Sequence, residues 1–146
     1  MELLKAYLDL TIFGILGFMG FITLWVMIER ILFYRSINLD DYEHQDILNI
    51  ELTRNLTSLS IIGSNAPFIG LLGTVIGILI TFYDMGQNQA IDTGSIMIGL
   101  ALALKATAAG ITIAIPTVMI YNGLMRKVDV INAQYGSRFS QKNKFN

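Results

Sequence analysis

The stretch GLALALKATAAGITIAIP, residues 99–116, decides how this chain is read. It is a mostly apolar run with one charge, Lys105, and a small residue returns at every third or fourth position. A membrane helix needs ~20 mostly apolar residues. Extended both ways, the run covers about Ile96 to Tyr121. Two more runs of the same kind precede it, from about Leu10 to Ile28 and from about Ile61 to Tyr83. Charges bracket all three: Asp9 and Glu29-Arg30, Arg54 and Asp84, Asp92 and Arg126-Lys127. Across the 146 residues, 53% are hydrophobic, 14% are charged and mean hydropathy is +0.57. That is too little charge for the surface of a soluble domain of this size. The reading is an all-α membrane protein with three transmembrane helices, carried by residues 1–146 as one unit.

Several function classes fall away. The net charge of −1 leaves no basic footprint for nucleic acid. With no cysteine and a single histidine, His44, set among acids, no metal site, disulfide or thiol nucleophile is expected, and no cofactor. No P-loop or nucleophile elbow is present, so the chain is not read as an enzyme. The first run is longer than a signal-peptide core, lacks a small-residue cleavage site and reads as a retained anchor.

Lys and Arg in the loops set the expected orientation. The tail 122–146 holds Arg126, Lys127, Arg138, Lys142 and Lys144, and the segment 29–60 holds Arg30, Arg35 and Arg54. The loop 84–95 has no Lys or Arg, and the N-terminal tail only Lys5. Both basic segments are therefore expected in the cytoplasm, with the N-terminus outside. Leu39, Tyr42, Ile47, Ile50 and Leu56 give segment 38–60 a loose helical period, expected to run on into the second span as a helix. Arg126 and Lys127 are placed to anchor on anionic lipid. The final SRFSQKNKFN, polar and basic, is expected to be disordered.

The second span carries Gly63, Ala66, Gly70, Gly73, Thr74, Gly77 and Thr81 on one face; the third carries Gly99, Ala103, Ala106, Thr107, Gly110, Ala114 and Thr117. Such stripes let helix backbones approach closely in lipid. Thr74 and Thr107 lie on these faces near the middle of their spans, where two hydroxyls can line a polar path. Pro67 is expected in the first turn of its helix, where proline is tolerated. Pro116 sits inside the third span, takes a partner from the carbonyl of Thr112, and marks either a static kink or a moving hinge.

The runs APFIGLLGTVIGIL, residues 66–79, and GLALALKATAAGITIAIPTVMIYN, residues 99–122, resemble the ExbB/TolQ proton-channel family, which is related to the MotA flagellar stator proteins. The resemblance covers roughly residues 55–125 closely; the first span matches only in kind. It implies an inner-membrane protein with helical extensions in the cytoplasm, assembled as a homopentameric ring whose second and third spans line a pore. It implies a single-span ExbD- or TolR-like partner whose aspartate carries the proton, and a periplasm-spanning TonB- or TolA-like protein that receives the energy. Thr74 and Thr107 match the family's pore threonines, Pro67 and Pro116 its prolines, and Gly70, Gly73, Gly77 and Gly110 its packing glycines. The family's third-span glutamate does not carry over: Leu102 holds that position, and Lys105 follows three residues later.

Lys105 lies about 60° round the helix from Leu102 and about 160° from Thr107. A charge near the bilayer centre costs roughly 2.5–3.5 kcal/mol on insertion scales and calls for a partner or water. Two readings stand: a lysine that snorkels or pairs at a packing contact, and one that reaches the partner's acid or lines a hydrated cavity. The resemblance implies a transport motor subunit of the ExbB kind, with a TolQ-like envelope-maintenance subunit and a passive scaffold as alternatives.

Overall fold

The structure, a computed structural model, describes residues 2–87, 92–142 and 144. It holds α1 (Glu2–Ser36), α2 (Gln45–Thr53), α3 (Leu56–Gln87) and α4 (Thr93–Lys142), with a short 3-10 turn at Leu39–Asp41. Among the described residues there is no strand. α1, α3 and α4 are each long and apolar enough to cross a membrane. At ~1.5 Å per residue α4 is about 75 Å long, more than twice the hydrocarbon thickness, so much of it stands clear of the bilayer. α3 and α4 form the tightest pair, and α1 packs across both.

Two cores result. In the first, Ile12 and Leu16 of α1 fill the angle over Ala66 of α3 and Ala106 and Ala114 of α4. In the second, α2 wedges between the ends of the long helices, and Leu48, Leu52, Leu56 and Leu59 meet Val26, Leu124, Val128, Ile131 and Tyr135. Polar side chains pin this wedge. Tyr34 donates its hydroxyl to the Leu52 carbonyl at 2.7 Å and Tyr135 to the Tyr42 carbonyl at 2.8 Å. The buried Arg30 pairs with Glu29, lies over the Phe33 ring and donates to the Glu51 carbonyl at 2.8 Å.

Four expectations are corrected here. The helix does not run unbroken into the second span: α2 ends at Thr53 and α3 begins at Leu56, with Asn55 between them at φ 65°. Asparagine tolerates this left-handed conformation, and its side chain donates to Glu29 at 3.1 Å. The buried face of α2 is Leu48 and Leu52, while Ile47 and Ile50 are exposed. Pro67 is not in a first turn but about three turns inside α3, where its missing N–H leaves the Gly63 carbonyl without a helical partner. Residues 137–142 of the expected disordered tail belong to α4; residues 143, 145 and 146 lie outside the described residues, as do residues 88–91 of the loop between the second and third spans.

α4 starts on a cap. Asp92 accepts from the hydroxyl of Ser95 at 2.6 Å and from the backbone N–H groups of Gly94 and Ser95 at 3.1 and 3.2 Å. These bonds, the Ser95 hydroxyl foremost, hold its carboxyl below the usual aspartate range.

Candidate functional site

The small-residue stripes of α3 and α4 meet as a seam. A methyl on Gly70 would sit 2.5 Å from the Ala106 carbonyl oxygen, and one on Gly110 would sit 2.5 Å from that of Ala66. Gly73 and Gly77 give the same closeness against the Ala106 and Ala103 methyls, at 2.9 and 3.0 Å. The obstacles at Gly70 and Gly110 are backbone atoms, which no side-chain rotation can remove. Glycine here is therefore a requirement of the approach.

That approach brings the two threonines together. The Thr74 and Thr107 hydroxyl oxygens are 2.5 Å apart, and Thr74 also lies 2.9 Å from the Ala103 carbonyl and 3.3 Å from its own Gly70 carbonyl. Each hydroxyl has one proton to donate. When Thr74 donates to Ala103, Thr107 must donate to Thr74, which leaves Thr107 an acceptor toward any third group. When Thr74 turns its proton to Thr107, the Thr107 proton is released to donate. The pair thus presents either polarity by rotating two O–H bonds. Thr74 is buried and Thr107 half-buried, and beside Thr107 the outward Leu104 and Ile111 are exposed. The pair sits at the edge of the seam, open toward the unpartnered face of α4.

Lys105 is elsewhere. Its Nζ lies 5.6 Å from the centroid of the Phe13 ring of α1, on the first-span side of α4 and away from Thr107. Leu102 faces a cavity of about 280 Å³ between α1, α3 and α4. Pro116 lies within α4, which continues through it. Arg126 and Lys127 are exposed on the part of α4 beyond the apolar run.

One polar contact was not foreseen. Thr23 of α1 and Thr117 of α4 bring their hydroxyl oxygens within 3.1 Å, both buried. Each hydroxyl also reaches a carbonyl of its own helix, Met19 at 3.0 Å and Ile113 at 2.8 Å. Thr117 stands on the small stripe, but Thr23 sits alone in an apolar run, and only the crossing of α1 over α4 identifies its partner.

The chain is similar to several transport proteins. A "Biopolymer transport protein ExbB" of Helicobacter pylori is 51% identical over 135 residues, covering 92% of this chain and 93% of that protein. A protein of the same name from Aquifex aeolicus is 49% identical over 128 residues, covering 88% and 86%. A third, from Salmonella typhimurium, is 41% identical over 83 residues, 57% of this chain and 34% of that protein. Residues 25–137, which include the seam and both threonines, match the MotA/TolQ/ExbB proton channel family, and the chain is a member of it.

Proposed function

We propose that this chain is the ring-forming subunit of an ExbB–ExbD–TonB-type complex of the bacterial inner membrane. There it uses the proton motive force to energise uptake of siderophores, vitamins or metals across the outer membrane. Family membership and the names of its relatives support the transport role. The loop charges support a periplasmic N-terminus and a cytoplasmic C-terminus, with α2 and the lower part of α4 as cytoplasmic extensions. Five copies would enclose a pore faced by α3 and α4, around an ExbD-like helix that supplies the titrating carboxylate.

The observation that carries this reading is the Thr74–Thr107 pair with its two donor patterns. A neutral carboxylic acid needs an acceptor for its proton, and a carboxylate needs a donor. The pair supplies both without moving a backbone atom, so a partner's acid can be held before and after its proton leaves. The glycine seam keeps the two oxygens within reach. Pro116 gives α4 a place to bend as subunits repack, and Arg126 and Lys127 hold the inner membrane surface. Lys105, on the Phe13 side, acts at the contact between α1 and α4 and not on the proton path.

The test is proton uptake by vesicles holding the chain together with its ExbD-like partner, read with an internal pH dye. Thr74→Val and Thr107→Val keep the shape of the side chain and remove the exchange. Each should lower uptake at least about tenfold, the loss of one hydrogen bond of roughly 1.4 kcal/mol in the rate-limiting step, with the complex intact. A double variant that conducts at the wild-type rate refutes the assignment. A TolQ-like role is separated by phenotype: loss of the chain should impair growth on scarce iron, not resistance to detergents.

A further inference from the structure

The cavity beside Leu102 has a polar mouth and an apolar depth. Lys5 and Asp9, one turn apart on α1, and Ser95 at the start of α4 line the mouth; the buried Ile12, Ala103 and Ala106 line the depth. From Ser95 to Ala106 the cavity follows α4 for eleven residues, or about 16 Å at ~1.5 Å each, close to the half-thickness of a ~30 Å hydrocarbon core. Its polar residues lie at headgroup level and its apolar ones at acyl-chain level. Thr81, the other hydroxyl on its wall, already donates to the Gly77 carbonyl at 2.9 Å. The deep part offers nothing to hold water, and apolar cavities stay dry.

The charges at the mouth select the headgroup. Lys5 holds the Asp84 carboxylate at 2.7 Å, and Asp9 stands one turn below. Among the described residues, two carboxylates stand against one ammonium at the mouth, which disfavours a lipid of net negative charge. A zwitterion with an N–H-bearing amine fits: its phosphate meets the Lys5 ammonium and its own ammonium donates to Asp9. A choline headgroup has no N–H to give. We propose that this cavity is a site for one phosphatidylethanolamine molecule from the leaflet at the Lys5 end, its acyl chain filling the gap between α1 and the glycine seam.

The experiment uses the full chain in phosphatidylcholine vesicles with a trace of phosphatidylethanolamine carrying a photoactivatable group in its chain. Adducts are mapped by mass spectrometry. The site predicts labelling of Ile12, 5% exposed in the cavity wall, above that of Leu10, which faces outward and is 71% exposed. Tenfold excess of unlabelled phosphatidylethanolamine should suppress the cavity adducts at least threefold; equal excess of phosphatidylglycerol should not. Asp9→Asn should abolish that discrimination, and Leu8→Trp, which plugs the lining without touching a charge, should remove the adducts. Uniform labelling with equal competition by both added lipids overturns the proposal, as annular contact only. So does an absence of cavity adducts.

Discussion

Replacing Gly110 by alanine adds one methyl where α4 meets α3. That methyl would start 2.5 Å from the Ala66 carbonyl oxygen and 3.2 Å from the Gly70 Cα. To reach ordinary contact at 3.4 Å, the helices must part by about 0.9 Å. Because the obstacle is backbone, the whole seam moves. The Thr74–Ala103 bond would stretch from 2.9 Å to about 3.8 Å and the threonine pair from 2.5 Å to about 3.4 Å, the first beyond hydrogen-bonding reach and the second barely within it. Overpacking of this kind costs roughly 1–3 kcal/mol. Gly123→Ala is the control: nothing lies within 4 Å of its added methyl, so it should gain ~0.5–1 kcal/mol of helix stability. The assays are thermal unfolding of the detergent-purified chain and proton uptake by vesicles holding the complex. Gly110→Ala should lower both, and Gly123→Ala neither. If Gly110→Ala unfolds at the wild-type temperature and conducts at the wild-type rate, the seam does not hold the threonines.

Other expectations follow from single contacts. Asn55→Val forces a β-branched residue into φ 65° and should cost roughly 1–2 kcal/mol in thermal unfolding, whereas Asn55→Gly loses only the bond to Glu29 and should cost less. Lys105→Met removes the cation from the Phe13 ring and should change stability by no more than about 2 kcal/mol while proton uptake holds; lost uptake at unchanged stability would place the lysine beside the partner's acid. Asp92 has its pKa depressed in the folded chain, so its cap contributes fully above the unfolded value near 3.8 and is lost as pH falls through the lower folded value. Hydrogen exchange at Ser95 and Ile96 should therefore lose protection at acid pH sooner than the middle of α4, and Asp92→Asn should flatten that dependence.

The three spans were legible because hydropathy is a local property: about twenty apolar residues between charges can do little else than cross a bilayer. The small-residue stripes were legible because the helical period alone puts Gly70, Gly73 and Gly77 on one face and Ala103, Ala106 and Gly110 on another. That period is blind to phase in a short helix. In the nine residues of α2, Ile47 with Ile50 and Leu48 with Leu52 make equally good stripes, and the leucines are buried only because α4 presents Val128 and Ile131 to them. The break at Asn55 was hidden too, since a single left-handed residue leaves no mark on apolar spacing.

Resemblance named Thr74 and Thr107 as a pair, but not the Ala103 carbonyl that gives the pair its two states. Sequence alone placed Lys105 on the side of Leu102, and it took the packing of α1 to supply Phe13. Thr23 with Thr117, and Arg30 with Glu51, are separated by 94 and 21 residues and meet through helix crossings. What the chain determined by itself was which segments enter the membrane and which faces can pack closely. Which side chains then touch depended on the angle and register at which rigid helices cross, a property of all the helices together and of none of them singly.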